Sequence, residues 1–275
     1  MDKKLIVRTL TGIVFILATL LSVYFGPYSL AIFLLLIVIL GLNEYNGLLK
    51  KMKHAHIQSI VYFGSISFLL LILVKNNVIN ERFVWLAFMF LLFLMIVILL
   101  RKRHKPLVRM ASSMFGMLYL VVPFYCIYAI AFFDGETFLL VYDGFFAIAF
   151  FCLMWSNDTG AYLIGKSIGR TKLIPKVSPK KTVEGTVGGF ILTEITAIII
   201  YYYSNTFHWI DWLSLGFLIS VFGTLGDLLE SLFKRSAGVK DSSNLLPGHG
   251  GVLDRFDSAL IAAPIVLAYL KITAI

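Results

Sequence analysis

The residues best able to do chemistry lie in one stretch near the C-terminus, from Ser231 to Asp257. It carries Lys234, Arg235, Lys240, Asp241, His249, Asp254, Arg255 and Asp257, and it contains the turn Pro247-Gly248-His249-Gly250-Gly251. Glycines let a backbone approach a ligand closely, cations bind phosphate, and carboxylates hold the divalent metal that phosphates bring. Two membrane-length apolar segments flank the stretch. Together these features point to phosphate chemistry at a membrane surface. An ordinary charged re-entry loop would account for the charges but not for the glycines around His249.

The segment just before it extends the pattern. On a helix, Asp227, Glu230, Ser231 and Lys234 stand at i, i+3, i+4 and i+7 and share a face. Two carboxylates, a hydroxyl and an ammonium make a poor lipid-facing stripe and a good metal–phosphate surface. Asp254, returning across the hairpin, can face Asp227 and complete a pair for Mg²⁺, which takes one or two carboxylates plus substrate phosphates. A second constellation is Trp155–Gly165, in which Asp158, Tyr162 and Gly165 share a helix face. Asp158 falls about 9 Å inside the membrane end of its span at 1.5 Å per residue. A carboxylate there is costly enough to suggest function, with a polar clasp between helices as the structural alternative. The third constellation is Lys172–Gly185. Ser178 followed by Pro179 reads as an N-cap and first helical residue, which would set Lys180, Lys181 and Thr182 at an anion-binding helix N-terminus. Lysines that merely set topology are the plainer alternative. Glu184, Gly185, Gly188 and Gly189 then allow that helix to pack closely.

The elements that position these residues are membrane spans. The 275-residue chain is 59% hydrophobic and only 14% charged, where a soluble domain carries about a quarter charged residues. Apolar runs recur from end to end, which predicts an all-α, polytopic integral membrane protein. Nine spans are expected, at about 9–25, 28–44, 57–74, 83–100, 112–133, 144–164, 186–203, 209–226 and 257–273, the first retained in the mature protein. With the N-terminus inside, 21 of the 24 Lys and Arg fall on the cytoplasmic side, leaving Lys75, Arg82 and Lys271 outside. Every loop then obeys the positive-inside pattern. The net charge of +9 is therefore topology, suited to anionic lipid head groups and not to nucleic acid. Cys126 and Cys152 lie in apolar runs as packing residues. A single membrane domain spans 1–275. Residues 1–140 read mainly as scaffold, with Glu44 their one buried charge, and 141–275 carry the catalytic spans and loops. Pro123 should bend span 5.

The stretch from Ser231 to Asp257 resembles the signature of the phosphatidate cytidylyltransferases, or CDP-diacylglycerol synthases. The matching positions are Ser231, Lys234-Arg235, Lys240-Asp241, Pro247, His249-Gly250-Gly251, Asp254-Arg255 and Asp257. Asn157-Asp158 through Tyr162, Ser178 through Thr182, and Gly226-Asp227 are similar to other blocks of that family. The resemblance is detailed in the C-terminal half; the N-terminal half agrees only in being apolar spans. It implies transfer of the cytidylyl group of CTP to phosphatidic acid, giving CDP-diacylglycerol and pyrophosphate at the inner leaflet of the cell membrane. Under it, Asp227, Asp254, Lys234, Lys181, Arg255 and His249 carry the reaction, with Asp227, Asp254 and Asp158 as metal ligands. Asn157, Asp158, Tyr162, Ser178, Lys180, Thr182, Ser231, Arg235, Lys240, Asp241, Gly250 and Gly251 contact the substrates. Mg²⁺ is the expected cofactor; a second, monovalent cation and pairing as a homodimer stay open.

Two other classes fit less well. A transporter usually places its site near the midplane on broken helices, often in repeated halves, whereas here the charges gather at one surface and the halves differ. The helix pattern of the CDP-alcohol phosphotransferases, another metal-dependent intramembrane class, is absent.

Overall fold

The computed structural model describes residues 3–52, 59–100, 106–133, 142–204, 206–246, 248 and 250–273. His249 and Pro247 of the signature lie outside the described residues. The chain is helical, as expected, apart from one small hairpin. Its elements are α1 (Lys3–Tyr24), α2 (Pro27–Lys51), α3 (Ser59–Lys75), a 3-10 turn at Glu81–Phe83 and α4 (Val84–Leu100). There follow α5 (Pro106–Gly116), a π-helical turn at Met117–Val121, α6 (Val122–Ile130) and α7 (Phe145–Ile168). The hairpin strands β1 (Lys172–Ile174) and β2 (Ser178–Thr182) lead into α8 (Val183–Tyr203), α9 (Trp209–Ser236), α10 (Leu253–Phe256) and α11 (Ala259–Thr273).

Among the described residues, six helical segments are long and apolar enough to cross a membrane: Pro27–Lys51, Glu81–Leu100, Pro106–Ile130, Val183–Tyr203, Trp209–Ser236 and Leu253–Thr273. Thr9–Tyr24 and Ser59–Lys75 are shorter apolar helices. Large apolar side chains such as Ile32, Trp85 and Leu100 stand exposed, as lipid-facing residues do. The chain is a multi-pass membrane protein.

Local chemistry explains the breaks. Gly26 holds φ at 100°, which glycine alone adopts without strain, and Pro27 then opens α2 with the φ that a first helical turn requires. Pro123 has no N–H for the carbonyl of Tyr119, and the chain widens into the π turn directly before it. The expected bend of span 5 therefore takes the form of a π-helical turn.

The described residues divide into two compact units, Met1–Ala129 with Phe233–Phe256, and Ile130–Leu232 with Asp257–Ile275. In the first, Phe256 is packed edge-on between Phe15 and Phe124, with ring centroids 5.3 and 5.1 Å away, which ties α10 to α1 and α6. Tyr45, Phe115, Tyr119 and Phe233 form a second aromatic cluster, and the Tyr45 hydroxyl donates to the Ser112 carbonyl at 2.8 Å. The signature loop therefore packs with the N-terminal helices.

In the second unit, Phe146 stacks on the fully buried Trp212, with Phe133 and Phe207 beside them. Helices α7 and α8 meet backbone to backbone. A Cβ on Gly160 would come 2.7 Å from the Gly188 carbonyl oxygen, and one on Gly185 would come 2.8 Å from that of Ala161. Only glycine permits this approach. The expected helix start at Ser178-Pro179 is not found. Ser178–Thr182 is a strand paired with Lys172–Ile174, because the residue before a proline favours extended backbone and an edge strand tolerates the missing N–H. Helix α8 starts four residues later, capped by Thr182, whose hydroxyl accepts from the Gly185 N–H at 3.2 Å. Lys180 and Lys181 thus project from a hairpin.

Candidate active site

In the Ile130–Leu232 and Asp257–Ile275 unit, the hairpin, α7, α9 and the turn leading into α11 each contribute charge. Glu184 fixes the hairpin: its carboxylate accepts from the backbone N–H of Arg170 at 3.1 Å and of Thr171 at 3.0 Å. Lys181, at the end of β2, pairs with Asp227 of α9 at 2.5 Å, both side chains about a quarter exposed (25% and 27%). Ser231, one turn on, donates to the other Asp227 oxygen at 3.3 Å. Glu230 is buried on the same helix. Asp257 lies where the α9 and α11 backbones touch: a Cβ on Gly226 would come 2.5 Å from the Asp257 carbonyl oxygen. The negative charges of Asp227, Glu230 and Asp158 all act on the Asp257 carboxylate. Asp158 and Tyr162 are exposed, with the Lys166 ammonium over the Tyr162 ring at 5.7 Å. Asn157 is buried against Gly189, and Gly165 faces Thr182 and Gly185. Several acids lie near the Lys181–Asp227 pair, an excess of negative charge that a divalent cation would neutralise. Among the described residues no three His, Cys, Asp or Glu side chains lie close enough to hold an ion alone. An ion here would complete its shell with phosphate and water oxygens, as Mg²⁺ commonly does.

The Met1–Ala129 and Phe233–Phe256 unit holds a different arrangement. Lys234, near the end of α9, pairs with Asp254 of α10 at 2.5 Å, and both side chains are buried (10% and 7% exposed). The second Asp254 oxygen accepts from the N–H of Gly251 at 2.7 Å and of Ser242 at 2.9 Å, and lies 2.9 Å from the Ser242 hydroxyl. This carboxylate, expected to bind metal, is thus fully engaged by its own loop. Gly250 sits at φ 81°, and a Cβ there would run into the Asp254 carboxylate. A short antiparallel bridge, Leu246 N–H to the Gly250 carbonyl at 2.8 Å, closes the turn. Arg235, Lys240 and Asp241 are exposed, Arg235 reaching back to the Val239 carbonyl at 3.0 Å. Arg255 is half-buried, its Nε without a hydrogen-bond partner among the described residues.

The pattern that defines the Cytidylyltransferase family matches residues 6–273. The chain belongs to this family. It is also 35% identical over 268 residues to the phosphatidate cytidylyltransferase of Staphylococcus haemolyticus, an alignment covering 94% of this chain and 96% of the relative. The enzyme of the same name from Bacillus subtilis is 50% identical over 113 residues, covering 41% of this chain and 42% of its own. That of Staphylococcus aureus strain COL is 44% identical over 149 residues, 52% and 56% of the two chains. As a cytidylyltransferase the chain is a nucleotidyltransferase.

Some groups escaped the reading of the sequence. The Lys181–Asp227 pair joins residues 46 positions apart, and no local spacing announces it. Ser242 and Ser243 match no position of the signature, yet both hydrogen-bond to one carboxylate. That carboxylate is Glu44, whose lone negative charge near the inner end of an apolar span was the available signal.

Proposed function

We propose that the reaction of this enzyme, in which CTP and phosphatidate give CDP-diacylglycerol and pyrophosphate, runs at the inner leaflet of the cell membrane with Asp227 at its centre. A phosphatidate oxygen attacks the α-phosphorus of CTP, the new P–O bond forms, and the bond to the β-phosphate oxygen breaks with pyrophosphate carrying off the electron pair. That oxygen is already largely ionised near neutral pH, so the protein's work is to position the reactants and neutralise charge. The observation carrying this reading is the solvent-reachable Lys181–Asp227 pair among Glu230, Asp257 and Asp158. Lys181 and the exposed Lys180 meet phosphate. Asp227 and Asp257, which belong to one unit and act on each other electrostatically, would hold Mg²⁺, with Asp158 contributing from α7. When bound, the ion supplies positive charge to the phosphates. Asp254 instead sets Lys234 and the turn beside it. Lys240, Arg255 and His249 are assigned to the substrates on the family resemblance.

Helix α7, 24 residues long and polar at its expected inner end, would bring the six long spans and two shorter apolar helices to nine crossings. The 21-to-3 division of Lys and Arg supports an inner N-terminus and an inner-leaflet site. Thiol labelling of Lys105→Cys and Asp134→Cys should report inner and outer sides respectively. The activity is tested by supplying purified protein with labelled CTP, phosphatidate and Mg²⁺. CDP-diacylglycerol and pyrophosphate should appear in equal amounts, and only with all three present. Solute flux across liposomes without nucleotide turnover would overturn the reading in favour of a transporter.

A further inference from the structure

Glu44 belongs to α2, in the half of the chain that reads as scaffold, yet its carboxylate is buried (8% exposed) under the signature loop. Each oxygen takes one serine hydroxyl and one backbone N–H. Oε1 accepts from Ser243 Oγ at 2.6 Å and Val252 N at 2.8 Å. Oε2 accepts from Ser242 Oγ at 2.8 Å and Leu253 N at 2.9 Å. The donors come from the two ends of the segment 242–253, so one side chain draws both ends of the glycine turn together. The Ser242 hydroxyl lies between Glu44 and Asp254, its proton shared by two carboxylates. Gly251 is enclosed by this arrangement: a Cβ there would overlap the Ser242 hydroxyl and both Glu44 oxygens. A buried carboxylate that receives four donors is satisfied without a counter-cation.

We infer that Glu44 is the positioning residue of the signature loop, holding the turn and the Lys234–Asp254 pair in the geometry the substrates meet. This inference rests on the proposed role of residues 231–257. Three features set Glu44 apart from general packing. Its bonds go to the two ends of one loop, they use all its acceptor directions, and both oxygens take a backbone N–H donor. Glutamine cannot replace it, since whichever way its amide is turned the NH₂ faces a backbone N–H. Aspartate keeps the acceptors and is one methylene short.

The test measures turnover of CTP and phosphatidate together with thiol labelling at Asn244→Cys, an exposed loop position. It compares Glu44, Glu44→Gln, Glu44→Asp and Ser243→Ala. Misplacement of a catalytic group by about 1 Å costs on the order of 10²-fold, so kcat of Glu44→Gln should fall by about that factor while the KM for CTP moves far less. Labelling of Asn244→Cys should accelerate, and Glu44→Asp should recover about tenfold of the lost kcat. Ser243→Ala removes one donor without stranding a buried charge, and it should show the same two changes in smaller measure. Turnover of Glu44→Gln within about threefold of the parent, or unchanged labelling in Ser243→Ala, overturns the inference. An inactive parent protein would instead strike the proposed function, and the labelling rates would still decide whether Glu44 holds the loop.

Discussion

The two lysine–aspartate pairs are equally short and differently placed. Lys234–Asp254 is buried, and its carboxylate is further bound by Ser242 and Gly251; Lys181–Asp227 is about a quarter exposed, with one long bond from Ser231. A buried pair is hard to break because the survivor is left charged and dry, whereas a half-exposed pair is worth little and exchanges readily. The first is suited to holding a backbone in place. The second can release its lysine to a phosphate and its aspartate to a cation.

Asp254→Asn gives the sharpest test of this contrast. It strands the buried Lys234 ammonium and should destabilise the protein by about 3–5 kcal/mol, read as a lowered melting temperature in detergent. Adding Lys234→Met should restore much of that stability without restoring turnover. If Asp254→Asn melts like the parent, the buried pair is not structural. Asp227→Asn should do the reverse. Turnover should drop about 10²-fold or more with Mg²⁺ dependence altered, while stability shifts by no more than about 1 kcal/mol. Equal losses of stability in the two variants would erase the distinction.

Smaller effects probe what carries the exchangeable pair. Gly188→Ala forces a methyl against Ile164 on α7 and should cost about 1–3 kcal/mol, with activity falling because the hairpin bearing Lys181 continues directly into α8. Urea or thermal unfolding followed by tryptophan fluorescence would measure it. The mildest change, Thr182→Ala, deletes the α8 cap and should cost about 1 kcal/mol. A cost above that of Gly188→Ala would mean that the cap, and not the glycine contact, seats the hairpin.

Much of this is legible in the amino-acid sequence. Apolar run length foretold the helices, and Gly185, Gly188 and Gly189 foretold close packing of α8 though not its partner α7, because these follow from local composition. The start of α8 was misplaced since Ser178-Pro179 suits a helix cap and an extended edge equally, and only pairing with Lys172–Ile174 decides between them. The signature residues were apparent, but their division of labour was not. Asp227 and Asp254 look alike in sequence, and what separates them is burial and the donors gathered from Ser242 and Gly251. Glu44 was visible as a costly charge, yet its partners lie about 200 positions away.

Helix α9 has a length that bears on where the reaction can happen. Its 28 residues extend about 42 Å at 1.5 Å per residue, against a hydrocarbon core of about 30 Å. Asp227 stands about 27 Å along it from Trp209, so under the proposed topology, with Trp209 at the outer interface, it would reach the depth of the inner ester groups. If the proposed topology holds, the helix would act as a ruler, setting the acid level with a lipid phosphate in that leaflet. Bilayers of longer or shorter acyl chains would raise or lower that phosphate relative to Asp227, so hydrophobic thickness itself becomes a determinant of turnover.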